Sequence, residues 1–315
     1  MASSEQPRIL VVGAGSLGSL FGGLLAEGGL SVTLLGNSPH HCDAVTRAGG
    51  LMIVGYGGDR LVRLEATADV RAVEAPDIII FLCKAGANAA AAARVKHLFG
   101  QGTLAVSFQN GLGNEDRIGE IIGADKILAG LTAQGARLEA PGTVRNFAEL
   151  PSFIGEPAGG TSTRVERLAR LFSAHGLPTE ASPAIMRTKW SKLFANIAFS
   201  ATSGATGLTI GEVGALPPLH ETALRAIDEA AAVAAAHGLA FDAQERRHVF
   251  DQLLAPNGAG ANTTSMYRDL AARKPSELDV IYGTVVGLAR RYGVPVPTLQ
   301  TLYAIVAGLE AANRR

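Results

Sequence analysis

No prevailing sign of charge runs through this 315-residue chain: 28 basic residues stand against 28 acidic ones, and the pI is near 7.1. Without a general basic field, nothing draws the chain onto nucleic acid or an anionic membrane surface. Cysteine is scarce too. Cys42 and Cys83 lie far apart, with no CxxC pair or Cys/His cluster, so neither a disulfide framework nor a metal site is indicated. Two reduced thiols suit a cytoplasmic protein. Several uncharged stretches occur along the chain, one of them close to the N-terminus. The one that invites attention, ILVVGAGSLGSLFGGLLA at 9–26, has no charge over 18 residues and follows Arg8. A signal peptide or membrane span must therefore be weighed. A single preceding basic residue, frequent glycine within the run, and closure by Glu27 without a recognisable cleavage pattern argue against both.

What is present is enough apolar sequence, 47%, for a sizeable core, and a length that suits about two domains. RILVV (8–12) is a short β-branched apolar run that ends at glycine, as buried parallel strands do. GAGSLG (13–18) follows, then a helical stretch to Glu27, then a second strand SVTLL (31–35). Later strands are expected at 77–83, 103–109, 126–138, 142–147 and 151–155, with helices at 88–99, 114–122 and 163–176 between them. Residues 50–67 read as a hairpin inserted among these elements. Alternating strands and helices predict an α/β domain with a mostly parallel sheet. Beyond 176–184 the strand signals stop, and helices are expected at 184–200, 218–237, 242–254, 263–272, 277–292 and 298–312. The fold class is thus a Rossmann-type domain, residues 1–181, followed by an all-helical domain, residues 182–315.

The run 9–26 is better read as strand, turn and helix. Gly13 makes the tight turn, Gly15 admits a pyrophosphate close to the backbone, and Gly18 lets helix pack on strand. With Ala14, Ser16 and Leu17 they form a dinucleotide-binding loop whose helix N-terminus offers unpaired N–H groups. NAD sites usually carry Asp or Glu at the end of the second strand. Here Gly36, Asn37 and Ser38 stand there, with His40 and His41 beyond. No carboxylate repels a 2′-phosphate, Asn37 and Ser38 can donate to one, and a histidine could add charge. NADP(H) is therefore the expected cofactor.

Two further polar residues fall just past the carboxyl ends of expected strands: Lys84 in FLCKAG and Asn110 in SFQNGLG. Ligands bind beyond such ends in open parallel sheets. Alone, each would read as a solvated lysine or a turn asparagine. Together with GAGSLG, CKA, QNGLG, WSKLFANIAFSATSGATG, NTTSMYRDL and SELDVIYG, in that order and over nearly the whole chain, they resemble the ketopantoate reductase (2-dehydropantoate 2-reductase) family. The resemblance implies a Rossmann domain and a helical domain with NADPH and a small 2-oxo acid in the cleft between them. It implies reduction of 2-dehydropantoate to (R)-pantoate, in pantothenate and coenzyme A biosynthesis. It also implies that Lys192 is the general acid, Asn196 and Ser265 bind substrate, and Glu277 lies near the lysine and cofactor. Lys84 and Asn110 match the cleft lysine and asparagine, and Ala136 matches a backbone contact to the cofactor.

Two departures from the family pattern stand out. Asn37 occupies the place of the arginine that usually holds the 2′-phosphate. Ser200 and Ile210 stand where well-studied members have further asparagines in the substrate site, so another 2-oxo acid stays open as the substrate. A non-catalytic dinucleotide sensor is the alternative of a different class; it would need the glycine loop but no lysine acid. On a helix, Lys192, Asn196 and Ser200 recur every four residues, within about 80° of one another. That polar stripe suits a ketone reduction, in which hydride transfer creates an alkoxide that an ammonium can protonate or stabilise. A lysine pKa falls with desolvation and with a nearby cation such as Lys189, and rises beside a carboxylate. Oligomeric state is not fixed by the sequence; pairing as a homodimer is the expectation kept open.

Overall fold

A computed structural model describes residues 6–314. The chain forms two compact units. One runs to Gln109 and resumes over Asn114–Met186; the other combines Asn110–Gly113 with everything from Arg187 onward.

The first unit contains strands β1 (Arg8–Val12), β2 (Ser31–Leu35), β3 (Leu51–Gly55), β4 (Arg60–Val62), β5 (Glu65–Thr67), β6 (Ile78–Phe81), β7 (Leu104–Ser107), β8 (Ile127–Thr132), β9 (Ala136–Ala140), β10 (Thr143–Asn146), β11 (Ser152–Gly155) and β12 (Thr179–Ala181). Its helices are α1 (Ser16–Glu27), α2 (Pro39–Ala48), α3 (Asn88–Val95), α4 (Asn114–Ile122) and α5 (Thr163–Ala174). The main sheet has eight strands in the order β12-β11-β8-β7-β6-β1-β2-β5. Its pairs are parallel except β8 with β11. All four side chains of β6 are buried, as expected of a strand covered on both faces. A second sheet runs β4-β3-β10-β9.

The α/β reading of the first unit holds, with local differences. The hairpin expected at 50–67 exists as β3 and β4, with Leu51 opposite Val62. Its last residues instead leave it and extend the main sheet beside β2 as β5. The single strand expected over 126–138 divides between the two sheets as β8 and β9. After β2, where the sequence reading placed no helix, α2 begins, with Pro39 at a first-turn position that needs no N–H donor.

The uncharged run now has a physical cause. Helix α1 packs on the main sheet through Gly22, against Leu34 and Val32, and on the small sheet through Gly23, against Ile53 and Leu51. Leu20, Phe21 and Leu25 have no exposed surface. A helix between two sheets is apolar all round and needs small residues for close approach. No helix among the described residues is long and apolar enough to cross a membrane.

The second unit is helical: α6 (Ile185–Thr206, beginning in the first unit), α7 (Ile210–Ala215), α8 (Pro217–Ala236), α9 (Ala243–Leu254), α10 (Ser265–Ala271), a π-helical turn at Asp279–Gly283, α11 (Thr284–Tyr292) and α12 (Pro297–Asn313). Its core is built on α6. Trp190, Phe194 and Phe199 are buried there; Phe194 meets Phe241 edge-on, and Phe199 stacks on Phe250 with ring centroids 5.0 Å apart. Buried Ala223, Ala226, Ala230 and Ala234 line one face of α8.

The glycine turn is the strictest local constraint. Gly13 has φ +110°, a region L side chains rarely adopt, and its N–H bonds to Leu35 O at 2.9 Å. A Cβ on Gly18 would collide with the carbonyl oxygen of Gly13, whereas one on Gly15 would meet nothing within 4 Å. Gly18→Ala is therefore expected to lower the melting temperature by at least about 5 °C, since backbone must shift to admit the methyl. Gly15→Ala is expected to melt near the parent. Thermal melts of the two variants check this; equal melting temperatures would contradict the turn geometry.

Candidate active site

In the first unit, α1 starts without any side-chain cap and without an acidic residue in its first turn. Its first N–H groups and the positive end of its dipole are thus left for an anion. The hydroxyl of Ser16 is already engaged, accepting from the Leu138 N–H of β9 at 3.1 Å. Ala14 and Leu17 pack against the core. The open space over Gly15 is what a pyrophosphate requires, so these residues fit a dinucleotide.

Asn37, exposed after β2, accepts through Oδ1 from Arg94 Nη1 at 2.8 Å. His41 does not serve here, which corrects one sequence expectation. It is buried on α2; its Nδ1 accepts from the Gly142 N–H at 3.1 Å, so its Nε2 carries the proton and donates to Ser19 Oγ at 3.0 Å. Burial lowers its pKa. A neutral histidine with both nitrogens bonded supplies no charge to a phosphate.

Lys84 is exposed and leads into a short 3₁₀ turn at Ala85–Ala87. Beneath it runs a buried amide network that sequence reading missed. Gln109 Nε2 donates to Cys83 O and to Asn88 Oδ1, both at 2.6 Å; Asn88 Nδ2 donates to Asn114 Oδ1 at 2.8 Å. It ties together the loops that follow β6 and β7. Burial pushes the Cys83 thiol up to about 11, so it stays protonated and inert at neutral pH. Ala136, half-buried, opens β9 opposite Asn146. A cavity of about 1060 Å³ in this unit lies elsewhere, at the amino ends of β1 and β7 and beside α5, lined by Arg8, Asp77, Leu104, Arg167 and His175. It opens at the opposite edge of the sheet from the glycine loop.

The second unit brings three of the expected residues into one chain of hydrogen bonds. Lys192 Nζ donates to Asn110 Oδ1 at 3.1 Å, and Asn110 Nδ2 donates to Glu277 Oε2 at 3.2 Å. Asn110 reaches them because Asn110–Gly113 joins the helical unit. Leu112 N–H bonds to Val280 O at 3.2 Å, and Thr284 Oγ1 donates to Leu112 O at 3.3 Å. Gly111, at φ +80°, lies so close to Val280 that a Cβ could not fit. Burial is the main cause that lowers the Lys192 pKa to about 8; Glu277 opposes the shift and Lys189 adds to it. Lys189 is itself buried one turn earlier.

Asn196 is half-buried and Ser200 buried on the same helix. Ser265 is exposed as the first residue of α10, after Thr264, whose hydroxyl caps the helix through the Tyr267 N–H. The start of α10 is linked to α6, since Thr264 N–H bonds to Ser203 Oγ at 3.4 Å. Ile210 is buried at the start of α7.

Tyr282 was not foreseen. It is wholly buried, and its hydroxyl stands between two α6 groups that would otherwise bond to each other: it donates to Ile197 O at 2.6 Å and accepts from Ala201 N–H at 3.1 Å. An inserted side chain is a known cause of helix bending. It enters α6 between Ile197 and Ala201, the residues that follow Asn196 and Ser200, from a π-helical turn that begins two residues after Glu277. The only signal in the sequence was a tyrosine beside a glycine in a helical run.

Family models described as ketopantoate reductase PanE/ApbA and ketopantoate reductase PanE/ApbA C terminal match residues 9–159 and 184–310. The 2-dehydropantoate 2-reductase of Halobacterium salinarum is 32% identical over 302 residues, covering 95% of this chain and 97% of its own. That of Pyrococcus abyssi is 32% identical over 304 residues, covering 96% and 98%. A solved D-mandelate dehydrogenase, in ternary complex with NADH and anilino(oxo)acetate, superposes with a TM-score of 0.91 at 25% identity, covering 98% of this chain and 100% of that one. A PanE/ApbA family ketopantoate reductase from Ralstonia eutropha gives 0.89 at 28% identity, covering 98% and 100%.

Tyr282→Phe removes the hydroxyl from α6 and lets Ala201 N–H bond directly to Ile197 O. The fold is expected to survive with a loss of about 1 kcal/mol. The Michaelis constant for the keto acid is expected to rise several-fold, while the dissociation constant for the dinucleotide holds. Melting and steady-state kinetics read the two effects apart; an unchanged Michaelis constant would show that the wedge does not shape the stripe.

Proposed function

The chain belongs to the ketopantoate reductase family, and from that premise we propose that it reduces 2-dehydropantoate to (R)-pantoate, with NADPH as hydride donor and Lys192 as proton donor. It is an oxidoreductase of the kind that acts on CH–OH groups, in a family whose cofactor is NADPH. The observation that carries the mechanism is the bond chain Lys192–Asn110–Glu277, with the ammonium withdrawn from water.

Bound NADPH supplies the hydride to the carbonyl carbon. The residues of this chain answer for the rest. The glycine loop holds the pyrophosphate through backbone N–H groups, and Lys84 and Ala136 contribute binding to the same cofactor. Lys192 meets the charge that develops on the carbonyl oxygen and gives it a proton. A pKa of about 8 leaves it mostly protonated at neutral pH, yet a far stronger acid than an ordinary lysine. Asn110 fixes the ammonium in place. Glu277 orients Asn110 and keeps the lysine from losing its proton too early. Asn196 and Ser265 orient the substrate, the latter from the start of a helix where a carboxylate is welcome. Ser200 extends the stripe.

A second reading, reduction of a different 2-oxo acid, is favoured by two observations: Ser200 and Ile210 stand where well-studied members of the family have asparagines, and a D-mandelate dehydrogenase superposes well. A panel of 2-dehydropantoate, benzoylformate and branched aliphatic 2-oxo acids decides between them by NADPH oxidation. The expected outcome is the highest kcat/KM with 2-dehydropantoate; a preference of tenfold or more for another acid would establish the second reading.

The pH dependence tests the lysine. Reduction needs the ammonium, so kcat/KM is expected to fall as pH rises through about 8. Oxidation of the hydroxy acid needs the neutral amine and should rise over the same range. The Glu277 carboxylate raises the Lys192 pKa, so in Glu277→Gln the fall should begin at lower pH. Lys192→Ala should lower kcat by about 10²–10⁴-fold and abolish that limb. Near-normal turnover in Lys192→Ala would remove the lysine from the chemistry.

A further inference from the structure

Where the family usually has an arginine after the second strand, this chain has Asn37, yet no carboxylate replaces it to select NADH. The structure supplies a cation from another direction. Arg94, on α3 and 57 residues from Asn37 in sequence, reaches the end of β2. Its Nη1 donates to Asn37 Oδ1 at 2.8 Å and to Gly36 O at 3.3 Å, and its Nη2 donates to Ala68 O. Gly36 and Ala68 directly follow the carboxyl ends of the adjacent strands β2 and β5.

We propose that Arg94, acting with Asn37, holds the 2′-phosphate of NADPH, so that the positive charge behind cofactor choice in this chain comes from α3. The inference rests on the dinucleotide reading above and concerns only its 2′-end. In a sheet of this kind the ribose 2′-position is read at the end of the second strand. That is the point at which the guanidinium is pinned. An arginine can only donate, so the edge of the Asn37 amide that faces it must be oxygen. The amide Nδ2 then points away from Arg94, as a second donor. A guanidinium carries five N–H groups, and the three bonds named occupy three of them. Its charge persists at any pH the protein meets.

Asp69, an acid whose charge interacts with Arg94, does not cancel that charge. Asp69 is held by Arg71, which donates from Nε to Oδ1 at 3.0 Å and from Nη2 to Oδ2 at 2.8 Å. The backbone N–H of Arg71 also donates to Oδ1 at 3.0 Å. With Asp69 paired in this way, the guanidinium of Arg94 keeps its charge for an anion, which favours a phosphate over a hydroxyl.

Calorimetric titration with 2′,5′-ADP and with 5′-ADP tests this without turnover. The parent protein is expected to bind 2′,5′-ADP at least tenfold more tightly than 5′-ADP, and in Arg94→Gln that ratio should fall toward one. Arg94→Lys should recover only part of it, because the ammonium lacks the fork. An unaltered ratio in folded Arg94→Gln overturns the proposal. A parent that binds both nucleotides equally also overturns it and leaves the dinucleotide site standing; a parent that binds neither overturns both readings. Because Arg94 also clamps Gly36 and Ala68, its loss could prevent folding. Asn37→Asp then decides, since it leaves both carbonyl bonds intact while setting a carboxylate against the guanidinium. Loss of the preference in that variant supports the proposal, and retention overturns it.

Discussion

The bond from Lys192 to Asn110 is the constraint around which the helical unit is arranged. It needs an asparagine that comes from the strand-rich half of the sequence. Gln109 belongs to one unit and Asn110 to the other. The four residues 110–113 therefore have to leave the first unit and bond to the segment that starts the π-helical turn. Gly111 permits the close approach to Val280, and Leu112 completes it through the backbone. Glu277 then stands next to that segment, so one local arrangement delivers both partners of the lysine chain. Burying the ammonium is not free. A pKa moved from 10.5 to about 8 corresponds to on the order of 3 kcal/mol at neutral pH, where the buried ammonium is held less favourably than in the unfolded chain. That cost is present below about pH 8 and relieved as pH rises past it. It is the counterpart of the acidity that the proposed reaction would use.

The first unit solves a different electrostatic problem, the holding of anions without a broad basic surface. The net charge is zero, and the loop proposed to meet the pyrophosphate has no charged side chain at all. Backbone N–H groups and one helix dipole are what it offers an anion. This demands tight geometry, which is why Gly13 and Gly18 are held by steric contact with backbone. The same demand explains the composition of α1, packed between two sheets with no room for a charged residue.

How much of this was legible in the sequence follows from the range of each interaction. The strand, glycine turn and helix at 8–27 are encoded within twenty residues, and they were read correctly. The stripe of Lys192, Asn196 and Ser200 depends only on helical period, and α6 does form it. Strand division at 126–138 was not legible, because apolar pattern says that residues are buried and not which of two sheets buries them. The short β5 and β12 were missed for a related reason: three residues carry too little pattern, and pairing with β2 or β11 creates them. His41 was misplaced because a histidine after a strand looks like a phosphate ligand until Gly142, 101 residues later, is seen to bond it.

Arg94 and Tyr282 show the same limit from the functional side. Each acts on a segment far away in sequence, 57 residues in one case and 85 in the other, counted from Asn37 and Ile197. Each also hides in an ordinary context, an alanine-rich helix and an apolar run. What distinguishes them is a use that only folding reveals: a donor aimed at the end of a strand, and a hydroxyl inserted into the ladder of another helix. A residue missing from its usual place in a sequence motif is therefore weak evidence that its chemistry is missing. Charge acts through space, and a sheet edge bounded by two strands and a helix can receive the same cation from either side. On the reading proposed for Arg94, the departure at Asn37 changes which element supplies the charge. Ile210 differs in kind, because a buried apolar side chain offers no donor to stand in for the amide it replaces. On the proposed reading, the substrate end of the site is where this chain diverges chemically, while at the cofactor end it diverges only in the route by which the same charge arrives.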